Sequence, residues 1–182
     1  QYSPTSELNK VTKSSPFGSA DMPFNPISLA LGANAGFIAR SMDREAKHLQ
    51  EMLRRSNSHA GTSFLEIYQN CHIFNDGAFE IFSNRTLRKD YVIFLEHGKP
   101  LTFSENKGIR LEGYIPQVVD IGDNYSVDDL WIHDEQDVFK AQILARFFEE
   151  PISEIIMPRP FGVIFNKQLP VLNDLINGNS VE

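Results

Sequence analysis

The stretch that most constrains the fold is residues 61–79, GTSFLEIYQNCHIFNDGAF. Phe64, Leu65, Ile67 and Tyr68 stand too densely for a half-exposed strand. They predict a short strand buried on both faces, as in a parallel sheet covered by helices. Upstream, residues 36–40 predict a strand with Phe37 and Ile38 apolar. Residues 43–56 predict the clearest amphipathic helix, with Ala46, Leu49 and Leu53 at three- and four-residue spacing and Met52 beside them. Asp43 and Glu45 suit its first turn, Arg54 and Arg55 its last. Strand, helix, strand at this spacing predicts a right-handed parallel crossover, and so an α/β fold. The only cysteine, Cys71, follows the buried strand, where open α/β sheets place ligands and cofactors. On the residues alone it is either a ligand or a packed thiol.

At 182 residues the chain is long enough for a domain with a sizeable core. Hydrophobic content of 41% and charged content of 23% are those of an ordinary globular protein. A net charge of −7 argues against a general nucleic-acid binder, which needs clustered Lys and Arg. No apolar run approaches the roughly 18 residues of a membrane span. The first residues carry no basic region followed by an apolar core, and one cysteine forms no internal disulfide. These features together predict a cytoplasmic protein.

Along the chain, residues 1–25 predict an extended loop rich in Ser, Pro, Thr and Asn. Asn25-Pro26 opens a short helix to Leu31. After the Asn75-Asp76-Gly77 turn, residues 78–83 predict a helix and residues 91–96 a strand. Residues 99–102 and 108–112 form a candidate hairpin, and residues 118–121 a further strand, so this part reads as more antiparallel than the first. Residues 134–149 predict a helix capped by Asp134 and stopped by Pro151. A strand over residues 161–165 and a helix over 169–176 follow, then a frayed tail. Pro158-Arg159-Pro160 reads as a stiff turn, with Arg159 a candidate partner for a carboxylate of another subunit.

The five histidines carry no metal-ligand spacing, and no GxSxG, P-loop or HExxH pattern occurs. His133, Asp134 and Glu135 look like an acid–base cluster. The plainer reading makes Asp134 a helix cap and packs His133 at a strand–helix join.

The words IYQNCHIFNDGAF resemble the segment after the last core strand of the thiamine-diphosphate-binding beta subunit of 2-oxoacid:ferredoxin oxidoreductases. QYSPTSELNKVTKSSPFGSADMPFNPISLALGANAGFIAR, KHLQEMLRRSNSHAGTSFLEIYQNC, WIHDEQ and MPRPFGVIF resemble the same subunit in order and spacing. The resemblance covers most of the chain and weakens between Arg85 and Val127. The form QNCxIFNDGAF is closer to the 2-oxoglutarate type than to the pyruvate type.

The resemblance implies that Cys71 is the last of four thiolate ligands of a 4Fe–4S cluster. Asn70 and Asn75 flank it and would either hydrogen-bond cluster sulfurs or cap turns. Gln1 and Ser3 would follow the loop that contacts thiamine diphosphate and Mg2+, as candidate hydrogen-bond donors; the alternative is a solvated loop. Lys10 and Lys13 would line the cofactor or substrate entrance, or be plain surface charges. The family's GDG motif, the Asn that completes its metal site and its early CxxC do not occur here. This predicts the C-terminal part of a larger subunit, with residues 1–84 ending the thiamine-diphosphate-binding domain and residues 85–182 forming a mixed C-terminal extension. The implied activity is coenzyme A-dependent oxidative decarboxylation of a 2-oxoacid, giving acyl-CoA, CO2 and reduced ferredoxin, in complex with an alpha subunit. The separate chain is expected to be inactive. The competing readings are a non-catalytic assembly module of the same fold and a thiamine-diphosphate enzyme with another electron acceptor.

Overall fold

Strand β1 (Phe37–Met42) is buried along its whole length, and the rest of the main sheet is built around it. The computed structural model describes residues 3–73, 75–122, 124–148, 156–176 and 178. Ahead of β1, helix α1 (Pro26–Gly32) is capped by Asn25, whose side chain accepts from the Ser28 amide at 2.8 Å. Helix α2 (Ala46–Ser58) then carries the chain to β2 (Ser63–Tyr68), which pairs parallel with β1. This is the crossover expected from the spacing.

Short helices α3 (Glu80–Ser83) and α4 (Arg88–Tyr91) lead into β3 (Val92–Phe94). Strands β4 (Thr102–Phe103), β5 (Lys107–Glu112) and β6 (Ile115–Asp120) form a separate antiparallel sheet. The β5–β6 turn places Gly113 at a φ of +63°, as a two-residue hairpin of this hand requires. Helix α5 (Val138–Ala145), strand β7 (Arg159–Asn166) and helix α6 (Leu172–Ile176) complete the elements.

Strand β7 returns to the first sheet, whose order is β2-β1-β7-β3. It runs antiparallel to β1 and parallel to β3. Its position between two strands buries seven of its residues, Arg159 to Phe165. The register slips between Ile38 and Ala39, and opposite Arg40 lies Gly162 at a φ of +120°. A methyl group there would stand 2.7 Å from the Leu95 carbonyl oxygen, so close approach and backbone conformation both select glycine. One apolar core joins the two sheets through Ile38, Ile93, Leu101, Ile109, Trp131 and Ile164.

Several local expectations are corrected. Strand β2 is not buried on both faces: it is an edge strand, and Ile67 is 42% exposed. The strands with that burial are β1 and β7. Helix α2 starts three residues late, because the Asp43 amide donates to the Tyr68 carbonyl at 3.0 Å and Glu45 pairs with Arg88. Helix α5 is capped by Asp137, not Asp134: the Asp137 carboxylate accepts from the amides of Phe139 and Lys140, both at 3.0 Å. Asp134 serves the preceding turn, accepting from the Gln136 amide at 2.9 Å. The helix ends at Ala145, and Phe148 takes a left-handed φ of 71°. The predicted stop at Pro151 lies outside the described residues. Arg159 opens β7 rather than belonging to a stiff turn before it. It is buried, with its guanidinium 4.9 Å from the Phe148 ring centre and 6.0 Å from that of Phe82.

Candidate functional site

The loops that leave β1 and β2 at their carboxyl ends face each other across a cavity of about 340 Å³. Met42, Asp43 and Arg44 form one wall, Asn70, His72, Asp76 and Gly77 another, and Phe79, Glu80, Phe82, Ser83 and Asn84 the third. This is the edge of a parallel strand pair at which open α/β sheets bind ligands. Helix α3 supplies the third wall. The sequence predicts a helix there but gives no sign that it closes this space.

The floor is aromatic. The Tyr68 ring stacks on Phe79 at 4.5 Å and meets Phe161 edge-on at 5.5 Å. The Arg40 guanidinium lies 5.5 Å from the Tyr68 ring centre. Arg40 is 1% exposed, and its Nε donates to Glu66 at 2.5 Å while its terminal nitrogen donates to the Pro160 carbonyl at 3.1 Å. The buried cation is therefore paired, as its desolvation demands. It ties β1 to both neighbouring strands directly beneath the loop.

The loop after β2 is a tight turn closed by its own side chains. The Asn75 amide donates to the Cys71 carbonyl at 2.9 Å, and the two residues form an antiparallel bridge. The Asn70 side chain donates to Asp76 at 2.9 Å and accepts from the Gly77 amide at 2.9 Å. His72 Nδ1 lies 3.1 Å from the same Asp76 oxygen. The Asn70 amide, followed by His72, holds the Asp76 carboxyl below its ordinary range. Asn70 thus takes the turn-capping role, of the two expected for it. Cys71 is half-buried. The Asn75 Oδ1 atom is buried and has no hydrogen-bond partner.

The other sequence candidates lie apart from this loop or stand outside the described residues. Gln1 is among the latter. Ser3 is exposed, and its hydroxyl is engaged with Thr5 at 3.1 Å and Ser6 at 3.3 Å. Lys10 lies 3.6 Å from Glu7, and Lys13 is exposed. His133 is packed, its Nε2 donating to the Val163 carbonyl at 2.8 Å, as the plainer reading holds. Glu135 belongs to no acid–base cluster. It is a buried carboxylate held by both terminal nitrogens of Arg55, at 3.0 and 2.6 Å.

Chemistry limits what this chain can hold. Among the described residues no group of three or more His, Cys, Asp and Glu is placed to bind a metal ion. A 4Fe–4S cube asks for thiolates, and they come from distant parts of a chain. Cys71 offers one thiol, half-buried on the loop after β2, of the four that such a cluster asks for. Thiamine diphosphate and Mg2+ have no fit here. Ser3 is satisfied locally, and no carboxylate set stands with it.

No protein-family model matches the chain. It is 40% identical to the 2-oxoglutarate oxidoreductase subunit KorB of Mycobacterium tuberculosis over 183 aligned positions, which cover 96% of this chain and 46% of that protein. It is 36% identical to the 2-oxoacid:ferredoxin oxidoreductase subunit beta of Saccharolobus solfataricus over 76 positions, 42% of this chain and 25% of that one. The chain thus spans less than half the length of these curated relatives. A solved 2-oxoglutarate:ferredoxin oxidoreductase from Magnetococcus marinus, with 2-oxoglutarate, coenzyme A and succinyl-CoA bound, shares the fold. Its TM-score is 0.65 at 21% identity, over 98% of this chain and 46% of that one.

Proposed function

We propose that this chain, a relative of the beta subunits of 2-oxoacid:ferredoxin oxidoreductases, is part of such a subunit, of the 2-oxoglutarate type. The activity of the whole is coenzyme A-dependent oxidative decarboxylation to an acyl-CoA, CO2 and reduced ferredoxin, in complex with an alpha subunit. The relationship across 96% of the chain supports it. The observation that carries it is the placing of Cys71 at the carboxyl edge of the β1–β2 pair, on a loop pinned by Asn70, Asp76 and Gly77.

On this reading Cys71 supplies one thiolate to a 4Fe–4S cluster, whose remaining ligands come from outside this chain. A cluster held there would supply one-electron acceptance for the oxidation of the electron-rich 2-oxoacid adduct. The chain's own residues orient and shield. The Asn70 side chain closes the loop around Cys71. The Tyr68–Phe79 stack and the Arg40–Glu66 pair pack the floor of the neighbouring cavity. Residues 1–84 would end the thiamine-diphosphate-binding domain, and residues 85–182 would be the extension that returns β7 to the sheet. Thiamine diphosphate and Mg2+ would be held by residues outside those described here. No step through them is assigned to this chain, and by itself it would be inactive.

The test is an anaerobic iron and acid-labile sulfide analysis of the complete subunit with its partner, in wild type and Cys71→Ala. Wild type is expected to hold about four irons per subunit, lost in the variant while thiamine diphosphate stays bound. Iron unchanged in Cys71→Ala would make Cys71 a packing residue. Absence of bound thiamine diphosphate would point instead to an assembly module of this fold.

A further inference from the structure

A second cavity, of about 520 Å³, opens at the amino ends of β1 and β2. The six residues of β1 separate it from the first, a distance of roughly 20 Å. The turn from α2 into β2 forms one wall with Ala60 and Gly61, and the segment after β7 forms the other with Leu169, Val171 and Leu172. Its size is in the range that small-molecule ligands fill. Among the described residues, His59 is the one titratable side chain in its lining. The His59 side chain belongs to a residue only 9% exposed, and its Nδ1 lies 3.4 Å from the Gln168 amide nitrogen. Nε2 is buried and, among the described residues, has no hydrogen-bond partner, a state native interiors seldom leave unanswered. Glycines keep the space before it clear. A methyl group at Gly36 would stand 2.6 Å from Nε2 and one at Gly61 3.8 Å, and Gly61 has a φ of +114°. Among the described residues, the peptide groups of Ala60 and Gly61 take no backbone hydrogen bond.

Charge narrows what could enter. None of the lining residues is Asp, Glu, Lys or Arg, so an ionised head group would be desolvated without a counter-charge. The cavity also lies at the carboxyl end of the 13-residue helix α2, whose dipole repels anions. An uncharged head group is thereby selected. A carboxamide suits His59 in either tautomer, because its NH2 donates to a bare ring nitrogen and its oxygen accepts from a ring N–H. We propose that this cavity binds an uncharged amide, with its head group on His59 Nε2 and the Ala60–Gly61 peptides and a short apolar body on Leu169, Val171 and Leu172. Nε2 is out of solvent reach, so the head group meets it as the Gly61 turn gives way. The site does not depend on any group held at Cys71.

The experiment is saturation-transfer NMR of hexanamide, hexanoate and hexylammonium on the complete subunit with its partner, in wild type, His59→Phe and Leu172→Asp. His59→Phe keeps a ring and removes both nitrogens. Leu172 is 68% exposed, so its substitution spares the core and removes part of the apolar wall. The expected result is saturable binding of hexanamide, roughly tenfold or more tighter than either ion and weakened about tenfold in each variant. Neither 2-oxoglutarate nor coenzyme A should displace it. Displacement by either, equal binding of the three probes, no binding of hexanamide, or wild-type affinity in either folded variant overturns the proposal. If His59→Phe does not fold, Leu172→Asp decides alone: weakened hexanamide binding supports the site, and unchanged binding overturns it.

Discussion

His133 shows how much a single side chain can say once its surroundings are known. A carbonyl only accepts, so the bond from Nε2 to Val163 fixes the proton of the neutral ring on Nε2. Nδ1 is then buried with a lone pair and no partner. Protonation would place an N–H there with nothing to receive it. Burial accordingly pushes the His133 pKa below its ordinary 6.5, against the opposing pull of the Val163 carbonyl and of Glu135. Burial lowers the half-buried His48 as well, against Glu45. Because the folded values lie below the unfolded one, the unfolded chain takes up protons first. This part of the stability is complete above the unfolded pKa and declines as pH falls beneath it. The urea midpoint should therefore drop between roughly pH 7.5 and 5.5, and the drop should be smaller in His133→Gln. Cys71 and Asn70 were legible as candidates because residue type and order suffice to flag them. The difference between Asn70 and Asn75 was not, since it depends on which amide finds partners across a folded turn.

At the scale of elements, the Asn25-Pro26 start located α1 and apolar patterning located α2, β1 and the late strand, but the patterning misplaced burial. The run Phe64 to Tyr68 is as apolar as a central strand, yet β2 lies at the edge. Local sequence reports a strand's character but not its neighbours. Those are set by β7, nearly a hundred residues later, which takes the other side of β1. Two helix starts failed for a related reason: Asp43, expected in a first turn, and Asp134, expected as a cap, are engaged elsewhere through backbone or side chain. The most exacting point in the sheet is Gly162. Gly162→Ala adds a methyl 2.7 Å from the Leu95 carbonyl oxygen and demands a φ of +120° from a residue that resists it. A loss of about 2 kcal/mol is expected, read as a fall in the denaturant midpoint with little change in slope.

Across the molecule, the four-stranded sheet has its centre in β1 and β7 and its edges in β2 and β3. Among the described residues no strand pairs with the outer side of β2, where Ile67 is 42% exposed. An open, apolar strand edge invites another chain. Ile67→Lys should reduce concentration-dependent association of the purified chain, measured by light scattering. Equal scattering from the variant would show that association runs through another surface. No helix among the described residues is long and apolar enough to cross a membrane. The side-chain bond from Arg40 to the Pro160 carbonyl joins residues 120 positions apart. On a ribosome adding about 5–20 residues each second, that span takes roughly 6–24 s to emerge. Throughout this interval β1 lacks its β7 neighbour, while the parallel β1–β2 pair can form once Tyr68 has emerged. The free edge of β1 thus stays open to wrong partners until one late strand arrives.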